Sequence, residues 1–307
     1  MHSAPQDAVA LVKANPQNCA AALRNALDQL SITRIGRAGD RVIINPNFCG
    51  PPPAAKLTDP PVNHSSFTSL PVIEAAIKLT LDSGVNPKRI TVVGNPDEST
   101  SFDCDAFYRS IGIDQLCRSY GVRFCNLVSA DYRQVEMQQG KIMHAFEVAK
   151  VVLDADVFIN LPIAKTHWLT TISVAYKNIM GIISRASRNG PGMHKTAKNR
   201  DEFAQAVLDL YQALPYASNN ILHIVDALVA QEGNGPDCGS DVELGALITG
   251  RDPFSVDHAA TQVMGINMGI VKYLCLALQE RPVDYQYFVY GVPFEEIYQR
   301  PFALPDH

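Results

Sequence analysis

The sequence lacks the motifs that identify several common classes of enzyme. Its seven cysteines are never closer than eight positions, so no CxxC pair, zinc-ribbon spacing or iron–sulfur motif exists. There is also no GxSxG, no HExxH, no Walker GK[ST] and no GxGxxG. These absences remove the usual sequence evidence for serine hydrolases, zinc peptidases and nucleotide-binding loops.

Basic runs and long apolar runs are absent as well. The 307 residues include 26 Lys and Arg against 31 Asp and Glu, a formal charge of −5. We expect no nucleic-acid partner, because such partners require clustered positive charge. No stretch approaches the roughly 18 to 20 apolar residues of a membrane span, and the first residues lack a signal-peptide pattern. We therefore expect a cytoplasmic protein with no membrane partner, and no feature indicates its oligomeric state.

Two of the cysteines differ from the rest. Cys49 and Cys238 lie in segments rich in glycine and proline, where a thiol can be exposed. We expect the others to be reduced and mostly buried. Neither Cys49 nor Cys238 has an activating partner nearby in the sequence, which leaves the reactivity of both thiols open.

Apolar strands alternate with segments of helical periodicity along most of the chain. This alternation predicts an α/β fold with a mainly parallel sheet and helices on both faces. We expect a single domain over residues 1–307, with a core at about 8–270, a C-terminal extension at 271–307 and room for a small inserted or terminal subdomain. The predicted strands are 8–14, 41–48, 89–94, 122–127, 155–162, 220–229 and 243–250, and the predicted helices are 18–30, 70–84, 107–121, 171–183, 201–214 and 252–265.

Ligands of open α/β sheets bind beyond the carboxyl ends of the strands, and one strand end is richest in reactive side chains. Asn160, Lys165, Thr166 and His167 follow the apolar run at 155–162. We predict that they form a loop before the helix at 171–183.

That predicted helix adds Ser173 and Lys177, which lie one turn apart. With Lys165 and His167 they could surround the helix N-terminus and bind a carboxylate, phosphate or enolate. A lysine flanked by cations can act as a base, and histidine titrates near neutrality. A solvated lysine and histidine in a surface loop would give the same pattern.

A second cationic loop and two aspartates complete the set of candidates. His194 and Lys195 end a Gly/Pro loop that is either a lid over the site or an ordinary surface loop. Asp226 and Asp257 either have structural roles or could orient a histidine or bind a metal. A metal site would have to be assembled from distant segments, with His167, His194, Asp226 and Asp257 as the candidate ligands. The cofactor is therefore unknown.

Residues 154–182 closely resemble a bacterial and archaeal family known as domain of unknown function 362. Its usual pattern is an apolar strand, N-x-P-x-x-K-T-H, and a helix with K-N-x-x-G. The residues that match are Asn160, Pro162, Lys165, Thr166, His167, Lys177, Asn178 and Gly181. The P-N after the early strand, the G-N-G-P turn at 233–236 and the D-P-x-x-x-D helix at 252–257 also match, in the family's order.

The resemblance implies the positions of a site but no reaction. This chain lacks the ferredoxin-like iron–sulfur module that many relatives carry, and Ile44 stands where many have a lysine. We predict Lys165, His167 and Lys177 as catalytic residues. The predicted substrate-binding residues are Asn47, Asn160, Thr166, Asn178, His194 and Asn234.

Three functions fit these residues. The leading hypothesis is an enzyme that transfers protons on a small anionic metabolite, by isomerisation, elimination or condensation. The first alternative is a metal- or cofactor-dependent redox or accessory protein that uses His167, His194 and a carboxylate. The second is a non-catalytic ligand sensor.

Overall fold

The computed structural model describes residues 4–48, 65–96, 103–189, 192–212, 214, 220–236 and 238–306. Cys49 lies outside the described residues, so the prediction about its thiol stays a prediction.

Twelve strands and eleven α-helices form within the described residues. The strands are β1 (Val9–Lys13), β2 (Val42–Pro46), β3 (Ile90–Gly94), β4 (Arg123–Asn126), β5 (Tyr132–Glu136), β6 (Ala145–Ala149), β7 (Val157–Leu161), β8 (Ile163–His167), β9 (Thr171–Ser173), β10 (Ile221–Asn234), β11 (Cys238–Gly250) and β12 (Val289–Gly291). The helices are α1 (Cys19–Gln29), α2 (Leu70–Asp82), α3 (Cys104–Ser110), α4 (Ile113–Ser119), α5 (Lys150–Leu153), α6 (Ala175–Asn178), α7 (Arg185–Arg188), α8 (Met193–Thr196), α9 (Arg200–Gln212), α10 (Pro253–Met264) and α11 (Lys272–Gln279).

Ten of the described strands form one mixed, mostly parallel sheet. Its order is β12-β1-β11-β10-β7-β2-β3-β4, with β8 beside β10 and β9 beside β8. The β1–β11, β10–β11 and β8–β9 pairs are antiparallel, and β5 and β6 form a separate hairpin. The predicted C-terminal extension contributes β12 to the sheet edge. The predicted α/β class is confirmed, whereas the single-domain boundary stays a prediction.

Side chains of each central strand alternate between two apolar cores. Leu11, Ile43 and Phe158 belong to one core, and their neighbours Ile44 and Ile159 belong to the other. The first core packs against α9, α10 and α11, and the second packs against α1 and α2. Because side chains of a strand point alternately to opposite faces, both faces of the sheet are covered by helices, as predicted.

The helix predicted at 171–183 is wrong. Thr171–Ser173 pairs with β8 as strand β9, and only α6 followed by a 3-10 turn at Ile179–Ile182 is helical. The segment begins with β-branched residues, whose restricted χ1 angles favour strands over helices. The segment before it, which contains Lys165 and His167, is also a strand, β8, and not a loop.

Candidate functional site

Strand β8 carries two of the predicted catalytic side chains, which lie at the centre of the candidate site. Lys165 and His167 are two residues apart and therefore point to the same face of the strand. They are 1% and 5% exposed, respectively. The prediction of a loop was wrong because β8 pairs with β9 on one side and with β10 on the other. Lys165 and His167 are therefore held inside the protein.

Neutral oxygen atoms hold the ammonium group of Lys165. Its Nζ donates to Oδ1 of Asn47 at 3.0 Å and to the backbone carbonyl of Ser66 at 3.2 Å. A buried charge is costly unless hydrogen bonds replace its hydration. Asn47 therefore orients Lys165.

A chain of buried amides extends from Asn47 into the protein. Nδ2 of Asn47 donates to Oδ1 of Asn178 at 2.8 Å, and Nδ2 of Asn178 donates to Oδ1 of Asn160 at 2.7 Å. Nδ2 of Asn45 also donates to Oδ1 of Asn160 at 3.3 Å. These contacts join β2, β7 and α6 behind Lys165.

The side chain of Asn160 has no hydrogen-bonding position left for a substrate. Its Nδ2 donates to the carbonyl of Ala175 at 2.9 Å and to Nδ1 of His223 at 3.0 Å, while its Oδ1 accepts from Asn45 and Asn178. An amide offers two donors and two lone pairs, and all four are used. Asn160 therefore contacts protein groups only among the described residues, and its predicted substrate contact stays a prediction.

The network ends at a neutral histidine and a tyrosine. Because Nδ1 of His223 accepts from Asn160, we assign its proton to Nε2, which lies 3.1 Å from the hydroxyl of Tyr211. Burial lowers the pKa of His223 to about 3 and raises the pKa of Tyr211 well above its usual range. Both groups are neutral at pH 7.

His167 is a neutral imidazole near several cationic side chains. Its Nδ1 accepts from the backbone N–H of Leu169 at 3.0 Å and of Thr170 at 3.4 Å, which assigns the proton to Nε2. Burial, followed by the positive charges of Lys177, Lys165 and His194, holds the pKa of His167 well below its usual range.

Lys177 and His194 both contact the aromatic ring of Phe203. Nζ of Lys177 lies 5.9 Å from the ring centroid of Phe203, and the ring of His194 lies 4.8 Å from it. Both side chains are half-buried, whereas Lys195 is exposed. The structure thus brings together Lys165, His167, Lys177 and His194 from β8, α6 and α8.

A protein carboxylate occupies the helix end that was expected to bind an anion. Oδ1 of Asp257 accepts from the N–H of Ala175 at 2.6 Å, and its Oδ2 accepts from Tyr176 at 3.2 Å and from the hydroxyl of Tyr273 at 2.9 Å. Burial raises the pKa of Asp257 to about 7. Asp257 thus takes up these two N–H groups, and the predicted anion site around Lys165, His167, Ser173 and Lys177 stays a prediction without them.

Asp226 has a similar structural role. Its Oδ2 accepts from the N–H of Ser69 at 2.7 Å, just before α2, and its Oδ1 accepts from Leu228 at 3.0 Å. Burial raises its pKa. The described part of the chain contains no group of three or more His, Cys, Asp or Glu side chains that could hold a metal ion. The predicted ligand set, which combines His167 and His194 with Asp226 or Asp257, is thus not assembled there.

Two predicted substrate contacts face elsewhere. Thr166 lies on the opposite face of β8 from Lys165 and donates to the carbonyl of Gly233 at 2.9 Å. The exposed Asn234 pairs with Asp306, with bonds of 2.9 and 2.8 Å. Both residues contact the β10–β11 hairpin or its neighbour Asp306 instead of Lys165, and their predicted substrate contacts stay predictions.

Sequence reasoning missed Asn45 and the His223–Tyr211 pair. A signal was present for Asn45, because an amide inside the apolar run VIIN requires a buried partner. Cys238 is exposed, as the glycine and proline residues around it indicate, but it is the first residue of β11.

A family model described as domain of unknown function (DUF362) matches residues 42–262, which is most of the chain. The chain belongs to this family. The DUF362 match includes β8 and α6, whereas β1, α11 and β12 lie outside it.

The individual proteins that resemble this chain have low sequence identity to it. A thylakoid-associated protein of Synechocystis sp. is 26% identical over 269 residues, covering 85% of this chain and 74% of that protein. A protein from Thermotoga maritima has a TM-score of 0.45 at 13% identity over 82% of this chain, and the lactate racemase apoprotein from Thermoanaerobacterium thermosaccharolyticum has 0.41 at 12% over 84%. This chain spans 59% of each of those two solved chains.

No helix among the described residues is both long and apolar enough to cross a membrane.

Proposed function

We propose that this protein is an enzyme that binds a small anionic metabolite beside β8 and transfers a proton on it. One observation carries the proposal: Lys165 and the imidazole of His167 are buried on the same face of β8, while Lys177 and His194 approach from α6 and α8. Perturbed histidines among convergent cations are typical of catalytic sites. The site also lies near the carboxyl ends of β2 and β7, where ligands of α/β sheets bind.

The two lysines bind and polarise the anion. Lys165 is fixed by Asn47, so its direction is set before the ligand arrives. Lys177 is half-buried beside Phe203 and can adjust to ligands of different size. Preorganised cations stabilise negative charge that develops on a substrate, such as an enolate oxygen.

His167 is the general acid. Its neutral imidazole presents Nε2–H as a hydrogen-bond donor, because the lone pair of Nδ1 already accepts two backbone N–H groups. This Nε2–H polarises the substrate oxygen on which negative charge develops, and the half-buried imidazole of His194 takes up the proton that leaves carbon. His194 contacts the same anion from α8, and Asn178 acts by holding Asn47.

Deuterium exchange tests this proposal whichever proton-transfer reaction the enzyme catalyses. A panel of small hydroxy acids, keto acids and phosphate esters would be incubated with the protein in D2O, and loss of C–H signals would be followed by NMR. We expect at least one compound to exchange. His167→Gln should reduce the exchange rate by roughly 10²- to 10⁴-fold, since this is the usual contribution of a general acid or base.

Lys195→Met is the matched control, because it removes an exposed cation one residue after His194. It should retain the exchange rate, whereas Lys165→Met should abolish it. Absence of exchange across the panel, or full exchange in His167→Gln, would contradict the proposal. Binding that quenches Trp168 emission without any exchange would instead favour the ligand sensor.

We also propose a cytoplasmic location. The thylakoid-associated relative suggests the alternative, attachment to a membrane surface. Cell fractionation at low salt distinguishes them, because the proposed location requires recovery in the supernatant.

A further inference from the structure

A cavity of about 720 Å³ lies where the parallel strands of the sheet begin. This edge of the sheet is opposite the one that carries Lys165 and His167, where the strands end. The lining of the cavity includes Val157 and Leu222, near the first residues of β7 and β10. It also includes the loop that follows α1 and Arg251, the residue after β11. A cavity of this size holds a small metabolite, since ligand pockets measure roughly 300 to 1,000 Å³.

The loop after α1 presents two arginines to this cavity. Ile32 and Ile35 are buried in the core, while Arg34 and Arg37 between and after them are exposed and line the cavity. Within the described residues no ion pair involves Arg34 or Arg37, in contrast to the neighbouring Arg41, which pairs with Asp156.

Arg251 adds a third guanidinium from a different segment. It is partly buried, its Nη1 donates to the carbonyl of Ile221 at 3.3 Å, and burial lowers its pKa without making it neutral at pH 7. Asp40 is the one carboxylate among the described lining residues, and its Oδ2 already accepts from the N–H of Arg37 at 2.8 Å. The lining therefore carries an excess of positive charge in a protein of net charge −5.

We propose that this cavity is a second binding site, for a compact small molecule that carries phosphate groups, held by Arg34, Arg37 and Arg251. Planar guanidinium groups bind phosphate oxygens in pairs, and three of them from two segments can contact different oxygens of one ligand. Ser31, Thr33 and Asn220 add uncharged polar groups to the lining. The site lies across the sheet from β8 and is independent of the proton-transfer proposal.

Calorimetric titration with inorganic pyrophosphate at fixed ionic strength tests the site. We expect saturable binding to the wild-type protein and at least tenfold weaker binding to the double variant Arg34→Gln/Arg37→Gln. Arg109→Gln/Arg118→Gln is the matched control, because it removes the same charge from exposed positions outside the cavity lining. The control should bind within twofold of the wild type.

Lys177→Gln distinguishes the two edges of the sheet, and it should leave pyrophosphate binding unchanged. The proposal is overturned by absence of saturable binding, by unchanged binding in the cavity variant, or by loss in Lys177→Gln alone. Equal weakening in the control pair would also overturn it, because attraction would then reflect total charge. The single variants Arg34→Gln and Arg37→Gln give the same test if the double variant does not fold.

Discussion

The two edges of the sheet present positive charge in opposite ways. At one edge, Lys165 is almost fully buried and its direction is set by Asn47 and the amides behind it. At the other edge, Arg34 and Arg37 are exposed around an open cavity. A buried cation is stable only when hydrogen bonds replace its hydration, and those hydrogen bonds also fix the direction of its side chain. Exposed cations instead attract a ligand through their combined charge, which salt screens.

The largest expected difference between the two edges is the loss of unfolding free energy caused by substituting an asparagine at each. Asn160→Ala removes all four hydrogen bonds of a buried amide and leaves partners such as Asn178 unsatisfied, so we expect a loss of about 3 kcal/mol in the free energy of unfolding. Asn220→Ala, at the exposed lining of the cavity, should change it by less than about 0.5 kcal/mol. Urea unfolding of both variants measures the difference. Equal losses would mean that the amide network has no special role.

Buried His223, behind Lys165 and Asn160, should make the free energy of unfolding depend on pH. The pKa of His223 is about 3 in the folded protein and roughly 6.5 in the unfolded chain, so the unfolded state binds more protons between these values. The contribution of neutral His223 is therefore complete above about pH 6.5 and declines as the pH falls towards 3, by about 2 kcal/mol at pH 5.

His223→Gln isolates this contribution. Asp257 opposes it, because its raised pKa makes its folded carboxyl retain a proton that the unfolded chain releases. The difference in unfolding free energy between wild type and His223→Gln, measured from pH 4.5 to 7, should rise with pH. A constant difference would show that His223 is not held neutral.

The sequence predicts the parts of this fold that depend on local pattern. Apolar runs such as Val42–Pro46 and Ile90–Gly94 are strands because both faces are covered, and Pro46 ends its run by lacking an N–H. It does not predict β8, because Pro162 divides one apolar stretch into two strands. On the β10 side, the partner of Lys165 in the sheet is Gln231, far along the chain. No local pattern encodes such a pairing.

The same limit applies to the site. Lys165 and His167 were identified from their position after a strand, but their surroundings depend on distant contacts. Asn45 and Asn160 are 115 residues apart in sequence and share a hydrogen bond. Asp257 reaches the N-terminus of α6 from α10. Such contacts determine that the asparagines are positioning residues and that the helix end is already occupied.

Salt should distinguish how the two edges bind anions. Exposed arginines are screened, because the Debye length falls to about 10 Å at 0.1 M ionic strength. We expect pyrophosphate binding to weaken several-fold between 50 and 200 mM NaCl. A compound found by deuterium exchange should weaken less, since Lys165 is buried. Parallel titrations of both ligands measure the contrast, and identical salt slopes would remove it.

The smallest expected effect concerns the segment that follows the DUF362 match. Arg300 pairs with Glu232, and the N–H of Gly233 donates to the carbonyl of Ala303 at 2.8 Å. The hairpin held in this way accepts the N–H of Trp168 at the carbonyl of Gly235, at 3.1 Å, directly after His167. Breaking the Arg300–Glu232 ion pair should therefore increase local opening of the backbone near Trp168 without unfolding the protein.

Arg300→Ala should increase the hydrogen-exchange rate of the Trp168 amide a few-fold, and Arg300→Lys should largely restore the wild-type rate. Lys13→Ala is the control, because it breaks another exposed ion pair of the C-terminal segment, with Glu296. Faster exchange only in Arg300→Ala would mean that the order of β8 depends on the Arg300–Glu232 ion pair. An unchanged rate would mean that this ion pair does not hold β8, whose order then depends on its pairing with β9 and β10 and on contacts such as that of Thr171 with Ile270.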